Sequence, residues 1–226
     1  LGRSSWKPDV YSGWGIAEWL DAPLGPDSIL EPSSKPDVIV HCAGGSNVGY
    51  SLDEPNDDFR MSVGSLQRIL EYIRKDAPKC SLVYLSSAAV YGATQQLPIK
   101  ESYQPSPISI YGTNKFICEQ LTQAYSRHYS LKTAILRLFS VYGPGLRKQI
   151  LWDSCLKAQS GKTDFFGSGT ETRDFIHVAD TVSLIQAAQN VASDACPICN
   201  GGSGSPTQIR DLVSMLFERF DDQLTP

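Results

Sequence analysis

The sequence predicts an α/β fold in which helices cover both faces of a parallel sheet. Three short apolar runs, near 38–42, 82–85 and 133–139, have the length and composition of buried parallel strands. Amphipathic helical patterns follow the first two runs, at 57–75 and 111–129. Strands and helices therefore alternate, as they do in a doubly wound sheet.

The segments around these strands are predicted in chain order. Residues 6–36, rich in Trp, Pro and Gly, predict a loop with one short helix near Ile16–Leu20. The helix at 57–75 has one apolar face, formed by Phe59, Val63, Leu66, Leu70 and Ile73. The apolar face of the helix at 111–129 is predicted to be buried, and it consists of Ile110, Ile117, Leu121 and either Ala124 or Tyr125. Tyr111, Lys115 and Cys118 are predicted to lie on another face of this helix.

The pattern changes after Pro144, where a small second lobe interleaved with the main sheet is predicted. It contains a helix near 150–159, a short strand at 173–178, a helix at 180–190, a short strand at 197–199 and a last helix from Thr207. We expect residues 1–143, with 178–192 returning to them, to form the main domain. The small lobe is then 144–177 and 193–226.

Composition excludes several kinds of partner. The chain has 226 residues with a net charge of −4, and its 20 basic residues form no stripe that would suit nucleic acid. Its apolar runs are too short to span a bilayer, which takes about 18 residues or more. One Cys-x-x-Cys, at Cys196 and Cys199, lacks the further ligands of a zinc site, so no metal is expected. The six cysteines are interpreted as free thiols in a reducing, cytoplasmic compartment.

The residues with the clearest chemistry are Tyr111 and Lys115. Residues four apart lie on one face of a helix, and the strand that ends at Ser86 and Ser87 can place a hydroxyl beside them. A free tyrosine has a pKa of about 10, and a fixed ammonium lowers that value by favouring the phenolate. The pattern predicts a tyrosine that transfers protons, with a serine that orients the substrate hydroxyl.

Five motifs follow one another in order along the chain. They are Val38–Gly44, Ser86–Gly92, Tyr111–Lys115, Leu136-Arg137 through Tyr142-Gly143-Pro144, and Arg173–Val178 with Asp180. This ordered set, over roughly residues 35–217, resembles the extended short-chain dehydrogenase/reductase family in its nucleotide-sugar epimerase/dehydratase branch. The resemblance implies a Rossmann-like sheet, bound NAD or NADP and a nucleoside-diphosphate sugar as substrate. It makes 1–143 with 178–192 the dinucleotide-binding domain, and 144–177 with 193–226 the small substrate-binding lobe.

The resemblance also implies roles for single residues. Tyr111 would be the catalytic acid or base, Lys115 would hold the nicotinamide ribose, and Ser87 would orient the substrate oxygen. Ala43 and Gly44 would pass under the cofactor. Ser86 would also contact the cofactor. The alternative is that its side chain only caps the end of the strand. Substrate phosphate would be bound by Arg173 and contacted by Ser140.

Three positions depart from the family pattern. The dehydratases carry an Asp-Glu pair where this chain has Ala88 and Ala89, which argues against 4,6-dehydration. The family usually has asparagine at the positions aligned with Met61 and Ser140, and methionine cannot clasp a backbone by hydrogen bonding. We therefore predict a nucleotide-sugar 4-epimerase, with an NADPH-dependent 4-keto-sugar reductase and a non-catalytic dinucleotide sensor as alternatives.

Further expectations concern the ends of the chain and its assembly. The glycine-rich first strand–helix–strand unit of the family is expected upstream of Leu1, and the small lobe is expected to be incomplete at its C-terminus. On this interpretation Arg3 lies where the adenine ribose is recognised, which keeps NADP open beside NAD. The resemblance also implies a homodimer, paired through a four-helix bundle of the helices at 57–75 and 111–129.

Overall fold

The computed structural model describes residues 7–19, 35–94 and 97–224. The chain divides into two compact units, the first comprising 1–137 with 185–199 and the second 138–184 with 200–226. The boundaries expected from the sequence were 143/144, 177/178 and 192/193. Among the described residues no helix is both long enough and apolar enough to cross a membrane.

The first unit is built on a four-stranded sheet with the strand order β1-β2-β3-β6. Its strands are β1 (Val38–His41), β2 (Ser81–Ser87), β3 (Thr133–Leu138) and β6 (Ile198–Gly201). β1 and β2 run parallel, with Val38 opposite Ser81. The Ile135 and Phe139 amides donate to the Pro197 and Gly201 carbonyls, four residues apart on both strands, so β3 and β6 are parallel too. The predicted parallel sheet is confirmed.

The helices of this unit include one interruption that the sequence pattern did not predict. They are α1 (Pro8–Ser12), α2 (Val48–Asp53), α3 (Pro55–Phe59), a π-helical turn (Arg60–Gly64), α4 (Ser65–Asp76), a 3₁₀ turn (Ala88–Tyr91) and α5 (Ile110–Tyr129). The helix predicted at 57–75 is thus α3 and α4 joined by the π turn. A π turn holds an extra residue and rotates the face that follows. Val63, Leu66, Leu70 and Ile73 are buried as predicted, whereas Phe59 is 44% exposed.

The prediction of a short helix near Ile16–Leu20 is wrong, because Ile16–Trp19 are not helical. Residue 20 lies outside the described residues. The helix begins instead at Pro8, directly after Lys7. Proline suits the first helical position because it needs no partner for an amide hydrogen there and its φ is already helical. The preference of proline for the first helical position therefore predicts this helix better than the weak spacing of apolar residues does.

The predicted orientation of α5 is right for Leu121 and Tyr125, which are partly buried against the core, and wrong for Ile110 and Ile117. Its buried face carries Gly112, Asn114, Lys115, Cys118, Glu119, Thr122 and Ser126, while Ile110 and Ile117 are 37% and 36% exposed. The buried residues are small or find polar partners, as Ser126 does with Thr133 at 2.6 Å. A Cβ on Gly112 would lie 2.7 Å from the Ala89 carbonyl oxygen, so α5 packs too closely for large apolar side chains at that point.

The second unit has its own three-stranded sheet, in the order β4-β5-β7. β4 (Ser140–Tyr142) runs parallel to β5 (Thr172–His177), which is antiparallel to β7 (Pro206–Gln208). Its helices are α6 (Gln149–Gln159) and α8 (Ile209–Leu224), while α7 (Val178–Val191) contributes residues to both units. The predicted helices at 150–159 and 180–190 correspond to α6 and α7.

Candidate active site

The site begins where β2 ends, at Ser86 and Ser87. The Ser87 hydroxyl accepts the Ala89 amide at 3.2 Å, and this bond caps the 3₁₀ turn that follows the strand. The Ser87 side chain is also close enough to the Tyr111 phenol to act on its pKa, in the lowering direction. The structure therefore brings the predicted orienting serine and the predicted proton-transferring tyrosine together.

Helix α5 presents Tyr111 and Lys115 one turn apart. The Ser109 hydroxyl caps the helix by accepting the Gly112 amide at 3.0 Å. The Tyr111 amide donates to the buried Ser51 hydroxyl of α2, also at 3.0 Å. Capping and this cross-helix bond fix the first turn of α5. Nothing in the spacing around Ser51 indicated that role.

Lys115 is 7% exposed and is held by the strand beside it. Its Nζ donates to the Leu85 carbonyl at 3.0 Å. The same nitrogen lies 5.4 Å from the centroid of the Tyr84 ring and 5.9 Å from that of the Tyr111 ring. The predicted lysine therefore stands beside the tyrosine, in a fixed position.

The electrostatics differ from the simple expectation that Lys115 lowers the pKa of Tyr111. Burial raises the pKa of Tyr111, the interaction with Ser87 acts in the lowering direction, and the nearby Asp58 carboxylate raises the pKa further. Burial also lowers the pKa of the Lys115 ammonium, against the raising influence of nearby acidic groups that include Asp58. In the chain alone the protonated form of Tyr111 is therefore favoured. Lowering the pKa of Tyr111 requires a further positive charge beside the phenol.

The loop after β1 carries the predicted cofactor residues Ala43 and Gly44. Gly44 has φ +117°, a value that suits glycine, and a Cβ there would lie 3.1 Å from the Ser62 hydroxyl. The Gly45 amide donates to that same hydroxyl at 2.9 Å. The residue that clasps this loop is thus Ser62 in the π turn, rather than the aligned Met61.

Behind Ser86 and Lys115 lies a buried ionic network. The Ser86 hydroxyl donates to Glu119 at 2.6 Å, and Arg137 holds both carboxylate oxygens of Glu119 in a fork at 3.0 and 2.7 Å. Arg137 also donates to the Tyr91 hydroxyl at 2.8 Å and to the Glu101 carbonyl at 3.2 Å. The network joins β2, β3, α5 and the 3₁₀ turn. The predicted cofactor contact of Ser86 stays a prediction.

The remaining predicted site residues lie elsewhere. Ser140 begins β4 opposite Phe175, and the exposed Arg173 lies in β5 opposite Thr207, both within the second unit. Their phosphate-binding roles stay predictions. Arg3 falls outside the described residues. Over residues 7–19, 35–94 and 97–224, no cluster of His, Cys, Asp or Glu is arranged to hold a metal ion.

Comparison with known proteins identifies the family. The family model "NAD dependent epimerase/dehydratase family" matches residues 24–198. A Methanocaldococcus jannaschii protein provisionally assigned as a UDP-glucose 4-epimerase is 33% identical over 211 residues, which cover 88% of this chain and 67% of that protein.

Two solved structures share the fold. MoeE5 in complex with UDP-glucose and NAD is 30% identical with a TM-score of 0.75, over 81% of this chain and 62% of that one. The UDP-glucose 4-epimerase of Thermotoga maritima with UDP-glucose is 26% identical with a TM-score of 0.76, over 82% and 62%. The chain thus spans about three fifths of the solved structures. It belongs to the NAD dependent epimerase/dehydratase family.

Proposed function

We propose that this protein is an NAD-dependent nucleotide-sugar 4-epimerase that acts through a transient 4-keto sugar. The observation that carries the proposal is the group formed by Ser87, Tyr111 and Lys115 in the first unit. The serine side chain is close enough to the phenol to act on its pKa, and the ammonium is fixed beside the phenol on the same helix. Membership of the epimerase/dehydratase family supports the choice of reaction.

The residues present fit the nicotinamide end of NAD. An ammonium has three N–H donors, and the bond to Leu85 uses one of those on Lys115. Ala43 and Gly44, with their small side chains, follow β1 at the carboxyl edge of the sheet, where open α/β sheets bind ligands. Bound NAD would supply the acceptor, and later the donor, of the hydride at the sugar C4.

The chain's own residues supply the proton chemistry. Tyr111 takes the proton of the C4 hydroxyl as a general base and returns it after the sugar has presented its other face. Lys115 would stabilise the phenolate form of Tyr111 that accepts the proton, and it would hold the nicotinamide ribose. Ser87 hydrogen-bonds the reacting oxygen and keeps it in line with Tyr111. Since hydride leaves and returns at one carbon, there is no net oxidation.

The substrate in this proposal is a nucleoside-diphosphate sugar. The two solved structures named above hold UDP-glucose, which supports a UDP-sugar for this chain. Arg173 suits phosphate because a guanidinium forms paired hydrogen bonds to its oxygens, and Ser140 would add one more contact. Ala88 and Ala89 lack the carboxyl group that elimination of water from the sugar would require.

The free cysteines support the proposed cytoplasmic location. Cys80, Cys118 and Cys196 are buried singly in the first unit, and Cys42 is an exposed free thiol. Free thiols of this kind are typical of a reducing compartment.

The function is tested with the purified natural protein and a panel of UDP-, GDP-, CDP- and dTDP-sugars. NMR follows the C4 configuration with no cofactor added. Conversion under these conditions supports the epimerase and identifies the sugar. Conversion that requires NADPH and oxidises it stoichiometrically would establish the reductase instead. The absence of conversion in both cases would favour the dinucleotide sensor.

We also propose that the protein forms a homodimer through a four-helix bundle of the helices predicted at 57–75, which are α3 to α4, and at 111–129, which is α5. Exposed apolar residues lie on α3 and α5. Phe59, Ile110, Ile117 and Tyr129 are 44%, 37%, 36% and 51% exposed.

Ile117→Glu is expected to convert a dimer into monomers in sedimentation equilibrium, because a charge cannot be buried there without a partner. Met215→Glu, at a 60% exposed position in α8, is the matched control and should leave the dimer intact. A monomeric natural protein would contradict the proposal.

A further inference from the structure

A buried carboxylate that the proposed chemistry does not use lies close to the catalytic pair. Asp58 of α3 is fully buried, and its Oδ2 accepts the Asn114 side-chain amide at 2.7 Å. Asn114 is itself only 4% exposed and lies between Tyr111 and Lys115 in the first turns of α5. The bond therefore ties α3 to the helical turn that carries the catalytic residues.

The other oxygen of this carboxylate faces the loop after β1. A Cβ on Gly45 would lie 1.7 Å from Asp58 Oδ1, so the glycine backbone packs directly against the carboxylate. Among the described residues Oδ1 has no hydrogen-bond partner. A buried and partly unpartnered carboxylate costs free energy of folding, so its presence calls for an explanation beyond packing.

The charge of Asp58 acts on both members of the pair. Burial is the largest influence on each, raising the pKa of Tyr111 and lowering that of Lys115. Asp58 raises the pKa of both groups. It thus favours the protonated phenol and opposes the effect of burial on the ammonium.

We propose that Asp58 is a positioning residue for the Tyr111–Lys115 turn, which it fixes through Asn114 and to which it presents a negative charge. This inference deepens the proposed function, on which the catalytic meaning of the pair rests. The charge keeps Lys115 an ammonium, ready to stabilise the phenolate. It also keeps the proton on Tyr111 until a cation, such as an oxidised nicotinamide ring, stands beside it.

Other titratable and charged groups face the pair from each packed element. They are Cys118 and Glu119 of α5, Cys42 and His41 at the end of β1, and Tyr84 of β2. Asp58→Asn leaves all of them in place. It also keeps the size of the side chain and an oxygen that can accept the Asn114 amide. The substitution therefore isolates the charge.

The test is a titration of Tyr111 by NMR of ¹³Cζ-labelled tyrosine in the NAD-bound protein, with Tyr111→Phe used to assign the signal. Removing a nearby negative charge lowers the midpoint of a phenol, so Asp58→Asn should move it down by about one pH unit. Asp57→Asn is the matched control: Asp57 is on the same helix, but its carboxylate accepts the exposed Tyr50 hydroxyl. It should leave the midpoint unchanged. An unchanged or raised midpoint in Asp58→Asn would overturn the proposal.

A second variant separates charge from geometry. Asn114→Ala removes the hydrogen bond and leaves the Asp58 side chain in place, so the midpoint of Tyr111 should fall less than it does in Asp58→Asn. Turnover should decrease about tenfold with KM unchanged, because the turn is less well fixed. If Asn114→Ala lowers the midpoint as much as Asp58→Asn does, repacking rather than charge is responsible and the inference is wrong.

The pH profile of turnover gives an independent reading. With Asp58→Asn the limb that reports the Tyr111 base should move to lower pH by the same amount as the midpoint. A protein without epimerase activity would contradict the proposed function alone. The titration of Tyr111 would still decide the role of Asp58.

Discussion

Replacing Tyr111 with phenylalanine is expected to reduce the turnover of 4-epimerisation by about a thousandfold or more, because the step loses its general base. NAD should still bind, since the ring is kept and Lys115 retains its bond to the Leu85 carbonyl. Turnover is measured by NMR of the C4 configuration. Binding is measured by fluorescence titration with NADH.

The matched control is Tyr129→Phe, which removes a phenol from the exposed end of the same helix. This variant should keep the turnover of the natural protein. Equal turnover in Tyr111→Phe and Tyr129→Phe would contradict a catalytic role for Tyr111. Loss of NAD binding in Tyr111→Phe would show that the phenol acts in cofactor binding as well as in proton transfer.

Replacing Glu119 with glutamine is expected to lower the free energy of unfolding by about 3–5 kcal/mol, the usual cost of removing one partner of a buried ion pair. Glu119 is fully buried and Arg137 is 3% exposed, so the guanidinium would stay in the interior without its countercharge. Urea unfolding followed by circular dichroism measures the change.

Glu71→Gln in α4 is the control, since Glu71 pairs with Arg74 and Lys75 at the partly exposed surface. It should change stability much less, because water solvates the separated charges there. Replacing Glu119 and Arg137 together by leucine and methionine should cost less than replacing Glu119 alone by leucine. If Glu119→Gln is no more destabilising than Glu71→Gln, the buried pair does not hold these elements together.

The parts of the fold that depend on local pattern were predictable. β1, β2 and β3 are short apolar runs, and α6 and α7 follow ordinary helical spacing, so composition and periodicity located them. Tyr111, Lys115 and Ser87 were found because each lies at the end of a regular element. Ser87 ends β2, and Tyr111 and Lys115 lie four residues apart at the start of α5. This spacing was enough to predict that the three side chains lie close together.

The orientation of α5 could not be obtained in this way. Its apolar residues Ile110 and Ile117 are exposed, and its buried face is polar. That face is satisfied by partners distant in sequence, such as Arg137 for Glu119 and Asp58 for Asn114. The spacing of apolar residues in the sequence carries no information about these partners. Prediction from this spacing fails where a helix packs closely on its neighbours and its buried side chains find polar partners.

The loop after β1 shows the effect of one inserted residue. The π turn at Arg60–Gly64 changes which side chain faces Gly45. The Ser62 hydroxyl accepts the Gly45 amide, at the place that a residue-by-residue alignment assigns to Met61. A π turn has no clear signature in a single sequence. Ser51 and Asp58 were missed for the same reason as the partners of α5, since their contacts span many residues of the chain.

The most direct test of the proposed reaction follows the hydrogen atom at C4. The sugar nucleotide identified by the panel is prepared with deuterium at C4 and incubated with the natural protein in ordinary water, without added cofactor. We expect the C4 epimer to form with its deuterium retained and with no net oxidation or reduction of NAD, because hydride leaves and returns within one site. Exchange of the deuterium for solvent hydrogen, or conversion only while NADPH is consumed, would contradict the mechanism.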